Sequence, residues 1–209
     1  AAFLLCAGVQ AQIVSSRSVS IKSAQKQPSE TQWFLRGGLN VMKMTGDGAE
    51  DTGSKLGYNF VYGFQKPLGS IGTYWGMELG SRGWKVEENE SDYEYSLSLM
   101  AHNVQVSPFT FGYKYNITDA LAVDAHLGAY VSCDYVGKIK EKESYQGDSE
   151  ETSVNMGDWE DWKRVDAGMN IGVGIWYDRF NLDFTYQRGF IKTWECNTSN
   201  VLIRLGVAF

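Results

Sequence analysis

The stretch RVDAGMNIGVGIWYDRFNLDFTYQ, residues 164–187, decides how the chain is read. Taken with a period of two, Val165, Ala167, Met169, Ile171, Val173, Ile175 and Tyr177 form an unbroken apolar face. Arg164, Asp166, Gly168, Asn170, Gly172, Gly174 and Trp176 lie opposite, and are charged, polar or side-chain-free except at the end. Strict alternation over that length predicts a strand, not a helix. Asp178-Arg179-Phe180-Asn181 reads as a turn, after which Leu182, Phe184 and Tyr186 resume the apolar face and Asp183, Thr185 and Gln187 the polar one. The result is a long hairpin with one apolar face and one polar, glycine-rich face.

Two solvents suit such a hairpin. A soluble sheet turns its apolar face to a core, and a membrane barrel turns it to lipid. Length favours the barrel: a membrane strand needs about 9–11 residues, against a mode of about 5–6 in soluble sheets. Glycines on the polar face leave room in a crowded lumen.

The composition agrees. The 209 residues, 43% hydrophobic, suit one domain. No run approaches the ~18 apolar residues of a membrane helix. A mean hydropathy of −0.31 fits a barrel, because only alternate residues face lipid. Seven Trp and twelve Tyr suit interfacial aromatic belts. The net charge of −6 argues against nucleic acid as a partner. Cys6, Cys133 and Cys196 make no framework, and the latter two fall on non-adjacent strands and read as free thiols. No metal-ligand spacing is present, His102 and His126 are the sole histidines, and no cofactor is expected.

In chain order, residues 1–11 read as the end of a secretory signal peptide, cleaved before Gln12. Residues 12–31, polar and serine-rich, read as a flexible periplasmic leader, and residues 32–209 as the barrel. Strands are expected at about 33–44, 55–65, 72–86, 98–115, 121–137, across the opening hairpin, and at 200–209. Val104 and Val106 share one parity, but Phe109, Phe111, Tyr113 and Tyr115 share the other, so a β-bulge is predicted at Ser107-Pro108. Residues 45–54, 87–94, 140–162 and 191–199 read as loops. Long and short connections alternate. The fold class is therefore all-β: an eight-stranded antiparallel up-and-down transmembrane β-barrel, in the outer membrane of a Gram-negative bacterium. Phe209, on the lipid face of the last strand, matches the terminal aromatic of many such barrels.

Three strands also carry a family resemblance. GMELGSRGWKV (76–86), NVQVSPFTFGYKYNI (103–117) and VDAGMNIGVGIWY (165–177) are similar to strand motifs of the Bacteroidetes outer-membrane β-barrel domain family, the small eight-stranded PorT-like proteins. In the second motif Asn103 stands where the family has Tyr, and Ser107 is an extra residue before Pro108. The resemblance covers about residues 32–209. It implies fold and location, and its motifs describe strands without implying a catalytic site.

Two places can carry chemistry. Arg36, Glu78, Arg82, Asp124, His126, Arg164, Asp166, Asp183 and Arg204 share the inward parity. They are expected to form an ion-pair network that fills a lumen just wide enough for side chains; an ion path or gate is the other reading. Residues 140–162 hold a net charge of −6, equal to that of the whole chain. There Asp148, Glu150, Glu151, Asp158, Trp159, Glu160, Asp161 and Trp162 offer a docking surface, with divalent cations as a further bridge to lipopolysaccharide phosphates. An enzyme site would have to use His126 with Asp124, or His102, and no Ser-His-Asp pattern is recognisable. The reading is a non-enzymatic structural or accessory protein whose external loops contact other envelope components. Its partners are outer-membrane lipid, lipopolysaccharide and other envelope proteins. The alternative is a narrow, porin-like channel for ions or small solutes.

Overall fold

A computed structural model describes residues 30–46, 49, 52–69, 72–90, 94–145, 148–158, 163–193 and 195–209, the side chains at 52, 55, 81–97, 143–150 and 157 excepted. The signal-peptide and leader readings fall outside the described residues. Among the described residues nine strands follow in order: β1 Gln32–Thr45, β2 Thr52–Pro67, β3 Thr73–Glu90, β4 Glu94–Asn116, β5 Leu121–Tyr145, β6 Asp148–Asn155, β7 Val165–Tyr177, β8 Phe180–Gly189 and β9 Asn197–Ala208. Eight of them close a ring of antiparallel neighbours. β1 pairs with β2 and β9, and β4 with β5, which meets β7. β6 stands outside the ring, paired with the far half of β5.

The predicted bulge is present. Gly76 and Glu78 of β3 face Thr110 and Ser107 of β4, so β4 carries one extra residue there. The same slip shows on its other edge, where Val106 and Phe109 face Val131 and Ala129. Beyond it Phe109, Phe111, Tyr113 and Tyr115 point outward, as the change of parity requires.

The readings of residues 87–94 and 140–162 as loops are corrected. β3 runs to Glu90 and β4 starts at Glu94, while β5 and β6 form a hairpin over most of 140–162. Outside the hydrocarbon both faces of a hairpin meet water, so pairing no longer demands alternating polarity. One opposite-charge pair and one apolar pair help to hold this one: Lys142 faces Glu151, and Ile139 faces Val154. The sequence pattern therefore lost its signal where the membrane ends, although the strands continue.

Within the ring, alternation sorts lipid from lumen. Leu39, Phe60, Leu79, Leu127, Ile171, Ile203 and Leu205 lie outward and exposed. The lumen is layered. Near the short turns Phe34, Val61, Ala122, Trp176 and Ala208 pack into an apolar floor. Towards the long hairpins Met42, Met44, Leu99, Ala101, Ile139 and Met156 pack into an apolar lid. Buried charged and amide side chains occupy the space between.

The outward face predicts a direct test. Leu205 is the middle member of the outward series Val201, Ile203, Leu205, Val207 and Phe209 on the last strand and is 68% exposed. Leu205→Arg is expected to destabilise the barrel by about 2–4 kcal/mol in denaturant unfolding from lipid vesicles. Val154→Arg, on the external hairpin, is expected to leave that midpoint unchanged.

Candidate functional site

Four ring strands bring the central charges together: β1 supplies Arg36, β3 Glu78, β8 Asp183 and β9 Arg204. Asp183 and Arg204 are direct cross-strand partners. Arg36 Nη1 lies 2.9 Å from Glu78 Oε1 and 3.6 Å from Asp183 Oδ2. Arg204 Nη2 lies 2.6 Å from Asp183 Oδ1, and Arg204 Nη1 lies 3.3 Å from Glu78 Oε2. Each guanidinium thus touches both carboxylates, and the quartet is neutral. Arg36 also sits 4.0 Å over the Phe34 ring, which couples the charges to the apolar floor.

Asp124 on β5 is a second hub. Tyr74 donates its hydroxyl to Oδ2 (2.7 Å) and Trp176 its indole N–H to Oδ1 (2.5 Å). His126 Nδ1 lies 3.0 Å from the same Oδ2, and His126 Nε2 lies 3.6 Å from Asp183 Oδ2, which joins the two hubs. Lys114 Nζ caps the Trp176 ring at 3.7 Å. Two glycines of the opening stretch make this possible. A Cβ at Gly174 would overlap Asp124 Oδ1, and one at Gly172 would overlap the His126 ring. The G-x-G spacing on β7 is thus the space that the β5 side chains fill.

Of the nine predicted lumen residues, the structure brings together Arg36, Glu78, Asp124, His126, Asp183 and Arg204. The backbone of Arg82 lies in β3 opposite Asn103 and Asn59, and its side chain is outside the described set. Arg164 is corrected: it lies just before β7, exposed at the external mouth, because inward parity ends where the strand does. Asp166 sits higher in the barrel, accepting hydrogen bonds from Thr198 Oγ1 (2.6 Å) and Tyr130 OH (3.2 Å). The sequence reading missed Tyr74, Lys114, Trp176 and Thr185. All four share the inward parity, and Lys114 follows from the predicted bulge; parity gives their side of the wall but not their partners.

Asp124, His126 and Thr185 form a chain with the outline of a hydrolase triad. Thr185 Oγ1 lies 3.2 Å from His126 Nε2. The hydroxyl is otherwise engaged, since it donates to Asp183 Oδ1 (2.9 Å) and accepts from Arg204 Nη2 (2.8 Å). A nucleophile must give its proton to the base, and this one is given to Asp183. All three side chains are buried. His102 is on the outer surface instead, with Nδ1 2.7 Å from Tyr58 OH.

The external candidates are more scattered. Asp148, Glu150 and Glu151 belong to β6, Asp158 ends a short 3-10 turn at Met156–Asp158, and Trp159, Glu160, Asp161 and Trp162 lie outside the described residues. Lys140 Nζ pairs with Glu151 Oε1 at 2.8 Å and holds that carboxyl below the ordinary carboxylate range. Both groups are exposed, so the pair adds little stability. At the base of this hairpin a cavity of about 200 Å³ opens between Asp134, Tyr135, Asn155, Met156, Asp158 and Arg164. Among the described residues neither Cys133 nor Cys196 forms a disulfide; the first is exposed and the second buried.

A closed eight-stranded ring, apolar outward and charged within, defines a membrane-spanning β-barrel. The family model for the outer membrane protein beta-barrel domain matches residues 23–195. The chain belongs to that family and is a bacterial outer-membrane protein. Solved structures resemble it at low identity. The attachment invasion locus protein Ail of Yersinia pestis, in complex with the heparin analogue sucrose octasulfate, is 18% identical with a TM-score of 0.49, covering 86% of this chain and 99% of that one. Neisserial surface protein A is 12% identical with a TM-score of 0.41, covering 85% and 97%. The N-terminal β-barrel domain of Pseudomonas aeruginosa OprF is 9% identical with a TM-score of 0.34, covering 85% and 97%. A search of curated proteins finds no match.

The shared pairing predicts coupled losses. Arg204→Ala leaves Asp183 and Glu78 with one guanidinium between them and is expected to cost about 3–5 kcal/mol. Glu78→Ala is expected to destabilise as well, and the double variant to cost less than the two singles together. Denaturant unfolding of the refolded barrel reads all three, and strict additivity would contradict the network.

Proposed function

We propose that the protein is a structural or accessory component of the outer membrane, with a lumen plugged by its own side chains and external hairpins that contact other envelope components. The observation that carries this reading is the layered lumen: paired charges held between an apolar floor and an apolar lid. A barrel filled in this way offers solutes no route, so recognition falls to its outside. The acidic β5–β6 hairpin supports the same view. β6 ends the sheet order and pairs with β5 along one edge, which leaves its other edge available to an incoming strand. The docking surface is then Asp148, Glu150, Glu151 and Asp158, with Trp159, Glu160, Asp161 and Trp162 beyond them.

A non-enzymatic role accords with the engaged Thr185 hydroxyl. The strand motifs at 76–86, 103–117 and 165–177 support placement among the Bacteroidetes PorT-like barrels. Residues 1–11 are assigned as a signal-peptide remnant, 12–31 as a periplasmic leader and 32–209 as the barrel. One observation favours the channel reading as an alternative: Asn40 Oδ1, Asn59 Oδ1 and Asn170 Oδ1 are buried with no hydrogen-bond partner among the described residues, as groups that hold water would be.

A photo-cross-linking amino acid placed at Glu151 or Asp158 in living cells tests the docking reading. Discrete protein adducts are expected from both positions and none from the lipid-facing Leu127. Adducts to lipid alone from all three positions would contradict it, and swelling of vesicles in small sugars would favour the channel.

A further inference from the structure

Beyond the docking role, we propose that the outer face of β1, β9 and β8 binds the phosphorylated headgroup of an outer-leaflet glycolipid through Lys43, Ser199, Arg188 and Tyr186. The pattern is the same on all three strands. Outward residues are apolar up to one step and polar at the next: Val41 then Lys43 on β1, Val201 then Ser199 on β9, Tyr186 then Arg188 on β8. The register makes these steps neighbours. Lys43 faces Ser199, and Ser199 faces Arg188. One row closer to the bilayer centre, Val41 faces Val201, and Val201 faces Tyr186. The Lys43 and Arg188 positions therefore flank Ser199, two strand spacings or about 10 Å apart at the backbone, directly above a continuous apolar surface.

Side-chain hydrogen bonds link the three strands at this level. Arg188 reaches across β9 to donate from Nη1 to Thr45 Oγ1 at 2.5 Å, which carries its guanidinium to the Thr45–Asn197 step, one row beyond Lys43 and Ser199. Ser199 Oγ donates to Tyr186 OH at 3.1 Å. Neither Lys43 nor Arg188 has a carboxylate partner among the described residues. Glu195, the nearest acid in sequence to β9, is engaged with Lys192 at 3.3 Å. Two like charges held side by side at the edge of a hydrocarbon layer call for an anion. Tyr186 accepts from Ser199 and keeps its own hydroxyl proton, and arginine and hydroxyl donors together match phosphate oxygens. The rows beneath, Leu39, Ile203 and Phe184, give acyl chains a surface continuous with the headgroup site. The occupant that satisfies both halves is a phosphorylated lipid, and the external end of an outer-membrane barrel faces the glycolipid leaflet.

The test uses the full chain refolded in detergent with EDTA present, so that divalent cations cannot bridge through the acidic hairpin. Binding of bisphosphorylated lipid A and of its dephosphorylated form is compared by native mass spectrometry. The phosphorylated probe is expected to bind at least about tenfold more tightly, and Lys43→Gln with Arg188→Gln to remove that preference. Lys163→Gln, at the exposed mouth, is expected to keep it. Equal binding of both probes by the wild type would overturn the proposal, whatever the double variant does. So would a folded double variant, judged by heat-modifiable gel mobility, that binds as the wild type does. Complete displacement by inorganic phosphate would also overturn it, because the site would then be one for free phosphate.

Discussion

A charge inside a narrow barrel cannot stand alone, and the interior of this protein is arranged around that constraint. Desolvating one guanidinium costs several kcal/mol unless a carboxylate answers it at close range. Arg36 and Arg204 each meet two carboxylates, Glu78 and Asp183, so no member of the quartet depends on a single partner. The four residues come from β1, β3, β8 and β9. Their pairing ties opposite walls of the ring across the lumen, where backbone hydrogen bonds link only adjacent strands. His126 then joins this quartet to Asp124, and through Tyr74 and Trp176 to the apolar floor.

The same alternation that puts charge inside puts aliphatic and aromatic side chains outside. A filled lumen leaves two surfaces for recognition: the hairpins that rise beyond the bilayer, and the band where the outer wall changes from apolar to polar. The acidic β5–β6 hairpin occupies the first, and the Lys43–Ser199–Arg188 row the second. Their charges are opposite in sign. On the proposed reading, an acidic hairpin is repelled by lipid phosphates and stays available to a partner, while the basic row draws the same phosphates against the wall.

Much of this was legible in the sequence where one face had to differ from the other. Inside the bilayer every second residue meets lipid, so the eight ring strands, the inward parity of Arg36, Asp124, Asp183 and Arg204, and the extra residue before Pro108 could be read from period two. Legibility stopped where that contrast stopped. Above Ile139, which belongs to the lid, the described side chains of the β5–β6 hairpin are mostly exposed, and the segment reads as a loop. Arg164 continued the parity on paper but lies one residue beyond β7. Parity also gives a face without giving contacts: Thr185 and Tyr74 were on the correct side, but their roles depend on strands far apart in sequence. The apolar lid is not legible from parity, because Met42 and Met44 sit on the inward face among polar residues and interrupt the contrast between the two faces.

The central claim is that paired charges between two apolar layers close the barrel. Single-channel conductance in a planar bilayer tests it most directly, with the wild type beside Arg204→Ala. The account predicts a silent wild type, and openings that appear only when the guanidinium bridging Glu78 and Asp183 is removed. Steady openings in the wild type would contradict it, because ions would then be crossing a lumen that the quartet is said to fill.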